Sequence, residues 1–167
     1  MSKMLTFKSY SGFRLALATL CAGAFASFGL LVPAPTARAQ PATVTGLWID
    51  HTGRGAVEIT QCGGSLCGHI AWLKDPNRPD GKPQVDAKGR PICGLQIIGD
   101  MKKMSETLWD NGWIFDPERD DRFSVELRLK SSDQLQVLGY AGGMKFLGET
   151  YVWRRAPASQ ARCAKRS

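Results

Sequence analysis

Between Gly55 and Leu73 the chain reads GAVEITQCGGSLCGHIAWL, with apolar and polar side chains alternating on both sides of a Gly63-Gly64 pair. Val57 and Ile59 alternate with Glu58 and Thr60, and Ile70 and Trp72 alternate with His69 and Ala71. Alternation at period two marks antiparallel strands with one buried and one wet face. It also sets Cys62 and Cys67 together on the outer face. A four-residue loop over residues 63–66 would place the two cysteines directly opposite one another. A two-residue Gly63-Gly64 turn would pair Cys62 with Ser65 and leave Cys67 a diagonal neighbour, a longer reach that suits a disulfide less well.

The rest of the chain repeats the pattern of strand, turn and strand. Strands are expected over residues 44–50, 55–61, 66–73, 92–99, 112–116, 122–130, 134–141 and 145–155. The cleanest is RFSVELRLK, where Phe123, Val125, Leu127 and Leu129 share one face. Residues 74–91 hold four prolines, two glycines and eight charged side chains, and read as one long loop. Residues 101–111 have weak apolar spacing and read as a short helical turn. Eight strands on short turns, with no long helix, point to an all-β fold: an eight-stranded antiparallel up-and-down barrel, whose closure removes unpaired edges. Such a barrel is just wide enough to be filled by side chains or to hold one small ligand.

The N-terminus carries an address. Lys3, Lys8 and Arg14 precede a small and apolar run, LALATLCAGAFASFGLLV, which Pro33 and Pro35 end before Ala37-Arg38-Ala39. This is the layout of a secretory signal peptide over residues 1–39, cleaved before Gln40. The expected organisation is that signal, a barrel domain over residues 40–155 and a basic tail over residues 156–167. The expected location is the periplasm or the medium, with no stable membrane insertion after cleavage. Removal of the signal also changes the charge. The whole chain is +7, but the signal holds four basic and no acidic residues, and five more basic residues lie at Arg154, Arg155, Arg162, Lys165 and Arg166. Residues 40–153 are left with 13 basic and 15 acidic side chains, a net −2 that gives no reason to expect a nucleic-acid partner. Four cysteines remain, Cys62, Cys67, Cys93 and Cys163, an even number that favours disulfides in an exported protein. Of three connectivities, Cys62–Cys67 with Cys93–Cys163 is the one expected.

Two resemblances follow from particular residues. Gly46-Leu47-Trp48 near the start and Trp153-Arg154-Arg155 at the end resemble the lipocalin (calycin) signature, in which a first-strand Trp packs at the barrel base beneath a last-strand Arg. The order GLW, AVEI, CGGSLCGHIAWL, RPICGLQII, NGWIFDPERDDRFSVELRL, LQVLGYAG and LGETYVWRR is similar to the bacterial secreted family termed domain of unknown function 2147. That resemblance implies a calycin-like barrel and brings no activity with it. It makes Arg155, rather than Arg154, the floor arginine, with Trp48 and Trp153 as structural partners. The loop before Arg90 is shorter here than is usual in that family.

Chemistry is sparse. His51 and His69 are the only histidines, and the sequence has no G-x-S-x-G, no H-E-x-x-H and no phosphate-cradling glycine loop. Neither an enzyme nor a cofactor is expected. Aromatic and aliphatic walls with a few polar groups are what a small apolar ligand needs. The inward set is expected to be Trp48, Val57, Ile59, Ile70, Trp72, Phe123, Val125, Leu127, Tyr140 and Trp153. Trp72, Trp113, Tyr140, Asp86, Arg90 and Asp116 are the candidate ligand contacts, the polar ones at the mouth. The competing expectation is a solid barrel that serves as an interaction module for a protein of the cell envelope.

Overall fold

The structure, a computed structural model, describes residues 42–163. The expected signal peptide and the last four residues of the tail lie outside them. Eight strands follow in order: β1 (Gly46–Ile49), β2 (Gly55–Cys62), β3 (Ser65–Leu73), β4 (Gln96–Lys103), β5 (Leu108–Asp116), β6 (Asp121–Leu129), β7 (Gln134–Tyr140) and β8 (Glu149–Arg155), with a 3-10 turn at Lys145–Leu147. Each strand pairs antiparallel with the next, and β8 returns to β1 through Trp48 opposite Arg155 and Ile49 opposite Arg154. The barrel is closed and up-and-down, as the alternation implies.

Directly opposed residues share a face of the sheet. Trp48 with Val57, Ile59 with Gly68, Leu127 with Val137 and Leu135 with Trp153 therefore line the interior. Trp48, Ile59, Leu66, Ile98, Met101, Leu127 and Leu135 are each less than 2 % exposed. Each such side chain is worth about 1.5–3 kcal/mol of burial.

The hairpin of β2 and β3 takes the two-residue turn. Gly63 (φ 56°) and Gly64 (φ 83°) both have the positive φ of a type I′ connection, which matches the twist of the flanking strands. Cys62 faces Ser65 and Thr60 faces Cys67. The disulfide Cys62–Cys67 nevertheless forms, across the diagonal, with the Cα atoms 5.9 Å apart. The expectation that this register suits the bond less well is corrected: strand twist brings one pair of diagonal neighbours within the usual span.

Three elements differ from the sequence reading. The strand expected over residues 92–99 begins instead at Gln96. Cys93 is tied to Cys163, and Gly94 (φ 86°) turns the chain while its N–H donates to the Ile70 carbonyl. No helical turn occupies residues 101–111. β4 runs on to Lys103 and β5 starts at Leu108, joined by a tight turn. Asp100 (φ 60°) and Asn111 (φ 58°) interrupt these strands, so buried Ile98 and Met101 stand three residues apart instead of two. Bulges of this kind erase the period-two signal. Residues 145–147 leave the sheet because Lys145 is drawn to carboxylates on the outer face, and β8 starts only at Glu149.

The tail is docked as far as it is described. The Ala156 N–H donates to the Leu47 carbonyl, the Cys163 N–H to the Ala71 carbonyl, and Arg162 pairs with Glu58 at 2.8 Å.

Candidate functional site: an open cup above a sealed floor

In an up-and-down barrel the even-numbered connections gather at one end and the odd-numbered ones at the other. The even end is sealed. Arg155 lies over the Trp48 ring at 4.0 Å from its centroid, and its guanidinium donates to the carbonyls of Thr43, Thr45 and Ser132. The indole N–H of Trp48 donates to the Val44 carbonyl at 2.7 Å. Gly46 (φ 118°) is required here, because a methyl group at that position would stand 2.8 Å from a guanidinium nitrogen of Arg155.

The odd end is open. The β1–β2, β5–β6 and β7–β8 connections surround a cup of about 470 Å³. Its apolar wall includes Ile114, Phe123, Val137 and Trp153, and its rim carries Asp50, His51, Arg54, Asp116, Glu118, Arg119, Glu149 and Tyr151. His51 stacks on Tyr151 with centroids 4.0 Å apart, and the Tyr151 hydroxyl donates to Glu149. That hydrogen bond raises the Tyr151 pKa above the ordinary phenol value. Arg54 and Glu118 meet at 3.3 Å, linking two of the connections around the cup, with side chains 64 % and 71 % exposed. A pair this exposed is worth at most about 1 kcal/mol. It does not close the mouth.

A second hollow, about 700 Å³, lies outside the barrel. Glu58, Thr60, His69 and Ala71 of β2 and β3 contribute to it, with Arg90, Arg162 and the Cys93–Cys163 disulfide at its walls.

The model of the family described as "Uncharacterized protein conserved in bacteria (DUF2147)" matches residues 46–155, from the Gly46 that admits Arg155 to Arg155 itself. The chain belongs to this family. Among solved structures, the fold is similar to "Protein HP1028 from the human pathogen Helicobacter pylori belongs to the lipocalin family", at a TM-score of 0.58 and 15% identity over 70% of this chain and 85% of that one. Identity that low supports a shared lipocalin-like fold and nothing finer. No curated protein matches the chain.

The structure separates the residues singled out from the sequence. Asp116 lines the cup. Trp72 does not face the interior: a bulge between Ala56 and Val57 of β2 puts Trp72 opposite Ala56, on the face away from Ile70. Trp113 is also outside, lying across Gly99, with its N–H donated to Asp100 at 2.8 Å and Arg122 3.9 Å above its ring. Tyr140 touches the rim, but it stands opposite Ser124 on the outer face, and its hydroxyl donates to Asp110. Asp86 is buried within the long loop, where it accepts the Arg90 side chain at 2.6 Å and the N–H groups of Lys88 and Arg90. Arg90 covers Phe115 and borders the outer hollow, not the cup. The residues missed were those of the rim: His51, Arg54, Glu118 and Glu149. The parity of the connections is the signal that places them at one end.

A further group missed from sequence is a polar cluster outside β5, β6 and β7. Lys145 donates to Asp110 and, at 2.8 Å, to Glu126, while Arg128 donates to Glu126 at 2.9 Å. Burial pushes the Asp110 carboxyl upward, but hydrogen bonds from Lys145, the Asn111 N–H and Tyr140 outweigh it, and its pKa falls below the ordinary value. Those to Asp110 and Glu126 hold Lys145 well above the usual lysine range. A depressed carboxylate stabilises the fold above its unfolded pKa, about 4, and loses that contribution as pH falls through the folded value. The raised lysine contributes below about pH 10 and loses its share as pH rises through the folded value. Asp110→Asn is therefore expected to cost about 1–3 kcal/mol at pH 7, less than a fully buried pair because Lys145 is 41 % exposed. In urea titrations the gap between variant and parent should shrink below pH 4. A gap unchanged at pH 3 rejects the charge-based account.

Proposed function

We propose that the protein is exported and binds one small, largely apolar molecule in the cup, without carrying out chemistry on it. The observation that carries this reading is the cup: its volume lies within the range of small-molecule sites, and apolar walls sit beneath a ring of polar side chains. The sealed floor and the side chains packed above it make the site shallow. The apolar part of a ligand would lie against Phe123, Val137 and Trp153, with a polar group left at the rim. The two disulfides support an oxidising compartment. Among the described residues no three His, Cys, Asp or Glu side chains gather as a metal site.

The test uses a residue that can fill the cup without disturbing the barrel. Gly139 lines the cup opposite Val125, and a Cβ there meets nothing within 4 Å. Gly139→Phe is expected to fold like the parent and to lose bound small molecule. The measurement is native mass spectrometry of protein purified from its own envelope, beside the same protein carrying the substitution. An adduct present on the parent and absent from the variant supports the carrier reading. Bare masses for both favour the second reading, an envelope interaction module, which the close-packed lower interior supports.

A further inference from the structure

Exposed apolar side chains on this molecule are concentrated at one place. Among the described residues, five large hydrophobic side chains are exposed, and three fall within four consecutive positions: Met144 at 45 %, Phe146 at 83 % and Leu147 at 67 %. They belong to the β7–β8 connection, at the open end of the barrel. A connection of this kind ordinarily turns its charges to water and its apolar groups inward. Here the polarity is inverted. The one charged side chain of the segment, Lys145, reaches back to Asp110 and Glu126, which are only 12 % and 10 % exposed. Gly148 closes the segment against the sheet, where a Cβ would lie 2.7 Å from the Gly139 carbonyl. An ionic anchor thus holds the apolar side chains outward. Leu147 also lines the cup, so the apolar surface continues from the tip into the mouth.

We propose that Met144, Phe146 and Leu147 form a membrane-surface contact that dips into the headgroup and acyl boundary of a lipid bilayer, with the barrel mouth turned towards it. The occupant follows from size and charge. Three side chains on one turn fall far short of the roughly 800 Å² per partner that a stable protein interface buries. A shallow bilayer contact needs only a few apolar groups reaching about 5–10 Å. The rim beside these side chains holds Asp50, Asp116, Glu118 and Glu149 against Arg54 and Arg119, so attraction to anionic lipid at this end contributes little, and binding should be reversible and nearly independent of salt. The contact is independent of whether the cup holds a ligand.

The test is co-sedimentation with neutral phosphatidylcholine vesicles, comparing the protein with its Phe146→Ser/Leu147→Ser variant. Both substitutions are at exposed positions and should leave the thermal midpoint unchanged. The apolar residues 15–32 could bind lipid on their own account, so both proteins are prepared in the same N-terminal background. The variant is expected to bind about tenfold more weakly or worse. A local reporter, Phe146→Trp, should shift its emission to the blue on adding vesicles and be quenched by brominated lipid, at low and high salt alike. Equal binding by parent and variant, or a reporter that ignores vesicles, overturns the proposal. So does self-association in the absence of lipid that the same double substitution abolishes, which would make a second copy the occupant.

Discussion

Trp48→Ala is expected to lower the unfolding free energy by about 3–5 kcal/mol, a large share of the roughly 5–15 kcal/mol that holds a domain together. Trp48 has no exposed surface, and its loss leaves a void between β1 and β8 where the barrel closes through only two opposed pairs. It also removes the ring beneath Arg155, a contact worth about 1 kcal/mol or more when desolvated. The Val44 carbonyl loses its indole donor at the same time. Trp48→Phe keeps a ring under the guanidinium and should lose less than half as much. Urea unfolding followed by near-ultraviolet circular dichroism decides the matter. A cost near 1 kcal/mol for the alanine variant would mean that the floor is not keyed by this pair.

Loss of the Cys93–Cys163 disulfide should be nearly as damaging, and more damaging than loss of Cys62–Cys67. The two bonds have similar Cα separations, 5.9 Å in each case, so native geometry does not distinguish them. Sequence separation does: 70 residues against 5. On the chain-entropy account the longer closure is worth about 4 kcal/mol and the shorter about 2 kcal/mol. Cys93→Ser/Cys163→Ser should also free the tail, break the Arg162–Glu58 pair and bare the outer face of β3 where the Cys163 N–H meets the Ala71 carbonyl. Denaturant midpoints of the two double-serine variants, with tail release read by limited proteolysis near Arg162, give the comparison. An equal loss from both pairs would show that local strain, not loop closure, sets their worth.

The order of the strands, the shared face of Cys62 and Cys67 and the Trp48–Arg155 floor were legible in the sequence, because each follows from local alternation or from a motif with a physical reason behind it. Cys93–Cys163 was the partner pair left once Cys62 and Cys67 were joined. The cup was legible only in part. Asp116, expected at the mouth, lines the cup. Trp72, Trp113 and Tyr140 were expected to face a ligand and instead cover the outside of the sheet. The Trp72 error has one cause. Counting by twos from Ile70 fails where β2 and β3 change register at Ala56 and Val57, and one extra residue reverses every side chain beyond it.

The sequence by itself determined which stretches are strands and which face of most of them is apolar, since alternation is a property of the extended backbone within a few residues. It also determined a disulfide framework. Only the tertiary structure decided where register shifts occur and how Lys145 comes to sit between Asp110 and Glu126, 35 and 19 residues away. Those depend on pairings between distant strands and on the energy of burying charge, which act through space and leave no local periodicity to read.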